Sequence, residues 1–535
     1  MRLSSPINRA VIAARSLAVL SRSGLLRFTR PVDLMRAVTD LRRLGPLAGT
    51  IRIAGRRHSN DLGLVDELGE LTFGQLDRRS NALARAWQQD GVGSESVVAL
   101  LCRDHRGLLE GMFAASKLGA TVVLMNTGFG PRQLAEVAGR EGVTALVYDE
   151  EFASAAAELP QGIHRYVAWS DGSSVENSLD ELIGSNPDSH LKAPKTLSSL
   201  VMLTSGTTGV PKGAPRHVRS PLAAAQFLDR IPLRPAEVTV LAAPIFHGTG
   251  FSQLLMTMAL GSTIVLRRRF DAEAALGAID EYHGTAIVLV PTMLQRILDL
   301  GSDTLSHYDS SSLRIIVCAG SALPPELGNR ATAVFGDVIH NLYGTTECAV
   351  ATVALPADWL AAPGTVGRPP VGCRVALYAA GGTPITKPHE KGTAYIGSGL
   401  RFSGYTGGGG KDEIDGLLSS GDVGHFDEAG LLFIDGRADD MIVSGGENVY
   451  PDEVENVLME HPLVNEAAVI GVPDPEFGQR LKAFVVLEPG ADLTFQDVQA
   501  HIKSNLARFK VPREVTFLDE LPRNPTGKVL RGELP

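Results

Sequence analysis

Cysteine is scarce: Cys102, Cys318, Cys348 and Cys373 lie far apart among 535 residues, with no CxxC pair and no histidine cluster beside them. That spacing argues against a disulfide framework or a zinc site and for a reducing, cytoplasmic setting. Basic charge is not in excess either. A formal net charge of −10 excludes a general nucleic-acid binder, which would show a basic balance. No uncharged apolar run reaches the ~18 residues that a membrane span needs, and no internal repeat is visible. What is present is ordinary for a globular chain, with 44% hydrophobic and 21% charged residues. The length exceeds what one hydrophobic core organises, so two or more domains are expected.

Residues 1–46 depart from this average. They hold nine arginines, no lysine and two acids, Asp33 and Asp40, a local balance of +7 against −17 for the remainder. Ile7, Val11, Ile12, Leu17 and Leu20 recur between the arginines at roughly helical spacing. Arg15 interrupts what would have to be a signal-peptide core. Three readings fit: a basic helical extension packed on the main body, a helix lying on a membrane surface, or an arginine-rich mitochondrial presequence in a eukaryotic setting.

From about residue 70 the pattern alternates strand and helix. β-branched runs at Val97–Cys102, Thr121–Met125, Thr144–Tyr148, Ala286–Val290 and Arg314–Val317 are bounded by Gly, Pro or Asp. Helical stretches such as Leu108–Leu118 and Ala272–Tyr282 separate them, and Gly119 suits a left-handed helix end. This alternation predicts an α/β protein with parallel sheets covered by helices. Gly407–Gly410 reads as a flexible loop. A boundary near Arg437–Asp439 divides the chain into an extension at 1–50, a large N-terminal domain at 51–438 and a small α+β C-terminal domain at 439–535. The last contains a helix from Asp452, strands near Ala467–Val472 and Ala483–Leu487, and a helix near Phe495–Leu506.

The most informative segment is LTSGTTGVPKG, Leu203–Gly213. An apolar run enters a loop of Ser, Thr and Gly closed by Pro211 and Lys212. Glycines let backbone N–H groups turn toward an oxyanion, while hydroxyls and an ammonium add donors. The segment is a phosphate cradle, but not a Walker A loop. GxxxxGK[ST] needs Gly before the lysine and Ser or Thr after it, and Pro211 and Gly213 stand there. The run ending at Lys411 fails the same test, because Tyr405 occupies the first glycine position.

This segment resembles the phosphate-binding loop of the adenylate-forming superfamily of acyl-CoA synthetases, aryl-CoA ligases, firefly luciferase and peptide-synthetase adenylation domains. Further motifs follow in that family's order. PIFHGTG at Pro244–Gly250 resembles the acyl-site motif, NLYGTTE at Asn341–Glu347 the adenine and magnesium motif, and SSGDVGHFDEAG at Ser419–Gly430 the ribose motif. Gly436–Glu455 resembles the hinge and thiol-tunnel segment, and PRNPTGKVLR at Pro522–Arg531 the catalytic-lysine loop.

The resemblance implies a fold in which the large domain of helix-covered sheets also carries a β-rich subdomain, with the small C-terminal domain mobile. It implies ATP, Mg²⁺ and coenzyme A as cofactors and co-substrate. Thr204, Ser205, Gly206, Thr207, Thr208 and Gly209 would cradle phosphate, with Lys212 following the β- and γ-phosphates. Tyr343 would stack on adenine, flanked by Gly344, Thr345 and Thr346, and Thr346 would also touch a phosphate oxygen. Glu347 would bind Mg²⁺, which suits a hard carboxylate oxygen. Asp422 would accept the ribose hydroxyls and Arg437 would help fix them. Gly446 would line the pantetheine tunnel. Lys528 would bridge the attacking carboxylate and the α-phosphate, lowering the repulsion between two anions. His247 is either the neighbour of the substrate carboxylate or a histidine that closes a core strand. His217 is positional.

Amino-acid-activating relatives carry an aspartate in the PIFHGTG region, and Phe246–Phe251 contains no acid. A buried ammonium without a counter-charge is costly, so an amino acid is disfavoured. The small residues Gly248, Gly250, Ala319, Ser321 and Ala322 leave room for an alkyl chain walled by Phe251, Leu254 and Leu255. A medium- or long-chain fatty acid, joined to CoA, is therefore the expected substrate, with an aryl-CoA ligase or a carrier-protein-loading acyl-AMP ligase as alternatives. Two departures from the family stand out: a loose glycine pattern over Lys391–Tyr405, and a glycine-rich loop at Thr406–Leu418 where relatives often carry an acidic helix.

Overall fold

A computed structural model describes residues 6–26, 31–172, 176–203, 211–216, 221–438, 440–444, 447–474, 478–506, 510–524 and 527–535. Two largely parallel sheets form the body of the large domain. In the first, strands run in the order His164–Trp169, Ala145–Asp149, Val97–Leu101, Thr121–Leu124, Leu200–Leu203 and Gly213–Arg216, all parallel except the last pair. The second orders Thr352–Ala354, Ile339–Tyr343, Ile315–Cys318, Ala286–Leu289, Val238–Leu241, Thr263–Val265, Leu62–Asp66 and Gly69–Thr72. Only its two outermost strands are antiparallel. The β-branched runs found in the sequence form these strands because both sheet faces are covered by helices.

Between the sheets lies one apolar layer. Leu100, Val122 and Met202 of the first sheet join Leu241, Val288 and Val317 of the second, together with Trp87, Met112, Phe113 and Leu254 from helices Phe73–Gln89, Arg106–Lys117 and Gly248–Ala259. Each such side chain contributes about 1.5–3 kcal/mol when fully buried. Helix Arg106–Lys117 is capped by His105, whose Nδ1 accepts the Gly107 amide at 3.0 Å. The other ring nitrogen, Nε2, meets Asp149 Oδ1 at 2.8 Å, so both are engaged beside the buried Cys102 thiol. The chain leaves this helix through Gly119, whose φ of 76° is left-handed. A Cβ there would also come within 2.3 Å of the Thr196 carbonyl oxygen.

The β-rich part is an antiparallel sheet of Pro384–Ile385, Arg374–Tyr378, Gly392–Gly397, Leu417–Phe426 and Glu413–Ile414, with Leu432–Arg437 paired to Leu417–Phe426. The smaller C-terminal domain packs helices Pro451–Met459 and Phe495–Asn505 on strands Ile442–Ser444, Glu447–Val449, Val464–Asp474, Gly478–Leu487 and Glu514–Phe517.

The arginine-rich N-terminal stretch forms helices Pro6–Arg22 and Pro31–Arg57, the second kinked at Gly45 before Pro46. Val19, Leu20, Leu47, Ile51 and Ala54 enter the inter-sheet core. The segment is thus packed on the body, while Val11, Leu17, Val32 and Met35 remain exposed.

Candidate active site

The antiparallel register sets Asp422 opposite Arg437 on neighbouring strands. Arg437 Nη1 reaches Asp422 Oδ1 at 3.5 Å, and the Tyr343 hydroxyl donates to Asp422 Oδ2 at 2.5 Å. Tyr343 ends its strand in the eight-stranded sheet, so this bond ties the parallel body to the β-rich sheet. Burial of Asp422 raises its carboxyl pKa, opposed by the Tyr343 bond and by the charges of Arg437, Lys528 and Lys411. Burial and the neighbouring Asp422 push the Tyr343 phenol well up, so it stays a donor. An anionic acceptor pair held beside an aromatic ring is chemistry suited to a nucleoside, because two carboxylate oxygens can accept from vicinal hydroxyls.

Glu347 sits in the tight turn after Tyr343, where the Thr345 hydroxyl accepts the Cys348 amide at 3.2 Å. Its own backbone carbonyl accepts Phe402 N–H at 2.7 Å. The side chain is nine-tenths buried, and its Oε1 accepts the Tyr405 hydroxyl at 2.6 Å. Lys411 Nζ stands 4.0 Å from the same oxygen. Lys212 Nζ lies 5.3 Å from the centre of the Tyr405 ring, a cation–π contact. Gly344, Thr345 and Thr346 occupy this same turn, exposed or half-buried. A hard carboxylate oxygen among basic groups fits Mg²⁺ together with a polyphosphate, and Glu347 is the residue that would hold the ion. Such an ion would neutralise phosphate charge.

The loop carrying Tyr405 and Lys411 is folded rather than loose. Tyr405 N–H donates to Gly409 O at 3.3 Å, Gly408 N–H to Tyr405 O at 3.0 Å, and Thr406 N–H to Gly213 O at 3.0 Å. The sequence reading assigned no role to Tyr405 or Lys411. The available signal was an aromatic and a lysine bracketing the glycine run.

His247 precedes helix Gly248–Ala259. Burial lowers its pKa to about 4, so the ring is neutral at pH 7. Nε2 is buried without a partner among the described residues. The neighbouring Ile245 amide is held by Asp104, at 3.2 and 3.3 Å from its two carboxylate oxygens. Burial pushes the Asp104 carboxyl up to about 7. Gln253 lies one turn further into the same helix, fully buried, and neither its amide nitrogen nor its oxygen has a partner among the described residues. Asp104 and Gln253 were not singled out in the sequence.

Lys528 projects from a tightly braced loop. Asn524 Oδ1 accepts its amide and Asn524 N–H donates to its carbonyl, both at 2.9 Å. Arg523 donates to Gly527 O at 2.5 Å and pairs with Glu466 at 3.0 Å. The loop lies against helix Pro291–Leu298: a Cβ on Gly527 would be 2.3 Å from Thr292 Oγ1. Thr204, Ser205, Gly206, Thr207, Thr208, Gly209, His217, Asp439 and Gly446 lie outside the described residues.

A fold of two helix-covered sheets with a β-rich annex and a small C-terminal domain, bringing Tyr343, Asp422 and Arg437 together with Glu347 close by, defines a nucleotide-dependent enzyme. The family model of AMP-binding enzymes matches residues 51–406, and that of the AMP-binding enzyme C-terminal domain matches residues 453–528. A feruloyl-CoA synthase from Amycolatopsis sp. is 34% identical over 475 residues, covering 87% of this chain and 93% of that protein. A fatty acid–[acyl-carrier-protein] ligase, ScoC, from Streptomyces coeruleorubidus is 32% identical over 476 residues, covering 87% and 91%. The crystal structure of the anthranilate CoA ligase AuaEII in complex with anthranoyl-AMP superposes with a TM-score of 0.82 at 28% identity, covering 90% of this chain and 96% of that one. The chain belongs to the AMP-binding enzyme family. It is an AMP-forming acid–thiol ligase that activates a carboxylic acid with ATP and Mg²⁺.

Proposed function

We propose that the acid is aromatic and carries a hydrogen-bonding ring substituent, and that the acceptor is CoA. Gln253 carries this reading. Leaving both ends of a buried amide unpaired costs about 1–3 kcal/mol per group; a phenol could donate to its oxygen or accept from its nitrogen, and a methoxy or keto oxygen could accept from its nitrogen, where an alkyl chain could do neither. Phe251 and Leu254 on the same helix belong to the apolar core, so the surroundings of Gln253 are apolar. Relatives that act on feruloyl and anthranoyl groups agree with it, which reverses the preference for an alkyl chain drawn from the small residues alone. Within this reading Glu347 binds the metal, Asp422 and Arg437 hold the ribose, Lys212 and the Thr204–Gly209 loop hold phosphate, and Lys528 serves adenylation. The division at 438/439 is the proposed pivot of the small domain.

The test is a panel of hydroxycinnamates, benzoates, indole acids and C8–C16 fatty acids, measured for pyrophosphate release and for thioester formed with CoA. Substituted aromatic acids should give the highest kcat/KM, and Gln253→Leu should lower it about tenfold for phenolic acids while sparing unsubstituted ones, as expected for one lost buried hydrogen bond. Higher kcat/KM on fatty acids, or thioester formed only on a carrier protein, would overturn the reading.

For residues 1–46 we infer contact with an anionic membrane surface. Exposed Val11, Leu17, Val32 and Met35 accompany exposed Arg9, Arg15, Arg22 and Arg36 on the two packed helices.

A further inference from the structure

Lys411 closes the Gly407–Gly410 run. Turns at Tyr405–Gly409 fold the loop back, and the Thr406 amide pins it to Gly213 O at 3.0 Å, at the exit of the phosphate-loop segment. As a result the half-buried Lys411 ammonium stands 4.0 Å from Glu347 Oε1. On the other side Lys212 Nζ lies 5.3 Å from the centre of the Tyr405 ring, whose hydroxyl donates to the same Glu347 oxygen at 2.6 Å. Two ammonium groups thus converge on one tyrosine–carboxylate pair. Glu141, whose Oε1 accepts the Thr406 hydroxyl at 2.8 Å and meets Arg140 Nε at 2.9 Å, adds a second carboxylate, so three cations face two carboxylates around this loop, a balance that suits an anion of higher valence.

We propose that Lys411 is a second lysine for the β- and γ-phosphates of ATP, and that it holds the pyrophosphate leaving group opposite Lys212. The inference rests on the chain's use of ATP and not on which acid it activates. A lysine serves here as a point charge on a flexible stem, able to move from the carboxylate to a phosphate oxygen within a few ångströms.

The experiment measures affinities of the full chain for Mg·ATP, Mg·pyrophosphate and AMP by calorimetry, in wild type, Lys411→Ala, Lys411→Gln and Lys411→Arg. Loss of a charge-assisted contact should weaken Mg·ATP and Mg·pyrophosphate about tenfold or more in the Ala and Gln variants, while AMP, which lacks the β- and γ-phosphates, stays within about twofold. Lys411→Arg should restore most of the loss. Unchanged affinities for Mg·ATP and Mg·pyrophosphate would overturn the proposal, as would an equal loss for AMP, which marks a loop distorted as a whole. If Lys411→Ala does not fold, the Gln and Arg pair gives the same comparison. A wild-type chain that binds neither ATP nor AMP would instead overturn the adenylation chemistry itself.

Discussion

Replacing Gly527 by alanine should uncouple the two half-reactions. The φ of Gly527 is +80°, and its Cβ position lies 2.3 Å from Thr292 Oγ1 and 3.4 Å from both Thr292 Cβ and Val290 Cγ2. Left-handed backbone costs a non-glycine residue about 1–2 kcal/mol, and that strain is present wherever the turn exists. The overlap with Thr292, about 1 Å inside ordinary contact, arises only where the Lys528 loop lies against helix Pro291–Leu298. Relieving it means an off-rotamer threonine, about 0.5–1.5 kcal/mol, or a loop displaced by about 1 Å, which is enough to cost on the order of 100-fold in a positioned reaction. The docked arrangement should therefore lose about 1–3 kcal/mol, or roughly 5- to 150-fold in kcat/KM for pyrophosphate release. Synthetic acyl-AMP plus CoA should react within about threefold of wild type, because Lys528 is proposed to serve adenylation only. The double variant Gly527→Ala, Thr292→Ala removes the struck oxygen and should recover most of the loss, a coupling that a double-mutant cycle reads directly. Equal loss in both half-reactions, or none in either, would refute the argument.

Three further outcomes are expected. Lys528→Ala should lower acid-dependent pyrophosphate release at least ~100-fold and leave thioester formation from acyl-AMP at a substantial rate, measured by single turnover. The His247 pKa falls from 6.5 to about 4 on folding, so the unfolded chain binds more protons in that window; its stability contribution is full above pH 6.5 and is lost as pH falls toward 4. The loss amounts to at most about 3 kcal/mol, and His247→Gln should flatten the dependence of urea-unfolding midpoints on pH over this range. Deleting residues 1–46 should reduce salt-sensitive sedimentation with anionic vesicles, each cation near the bilayer contributing on the order of 1 kcal/mol. Aggregation of the truncated chain would show that the buried Leu20 and Val19 are the segment's main task.

Much of the architecture was legible because local rules agree with the fold. The runs at Val97–Cys102 and Ala286–Val290 became strands with ends shifted by one residue, and Gly119 took the left-handed conformation expected of it. The reactive motifs were legible for the same reason: each is a short contiguous string. What escaped the sequence is pairing across distance. Tyr405 meets Glu347 over 58 positions and Asp104 meets the Ile245 amide over 141, so neither partner looks unusual in its own neighbourhood. Gln253 escaped differently. A glutamine in a helix is ordinary until burial removes its water, and burial of one residue in a helix walled by Phe251 and Leu254 depends on both sheets being in place. The expectation of an alkyl acid stood on small residues, which report room, and room does not distinguish a chain from a ring.

The pairing of Asp422 with Arg437 has a thermodynamic consequence. Arg437 is the last residue of its strand, and the chain enters the C-terminal sheet at Ile442, five positions on. Close by, Lys391 bridges Asp435 at 3.1 Å and the Tyr450 ring at 4.9 Å, so the two domains share charged contacts next to Asp422. Any ligand that donates hydrogen bonds to Asp422 alters the partner available to Arg437, and would thereby change the relative free energy of each proposed arrangement of the C-terminal domain. By reciprocity, the factor by which nucleotide biases that arrangement equals the factor by which the arrangement changes nucleotide affinity. A variant such as Arg437→Lys, which weakens the link without removing the charge, would then lower both coupling factors together, making release of the spent nucleotide a property of the strand register as much as of the binding site.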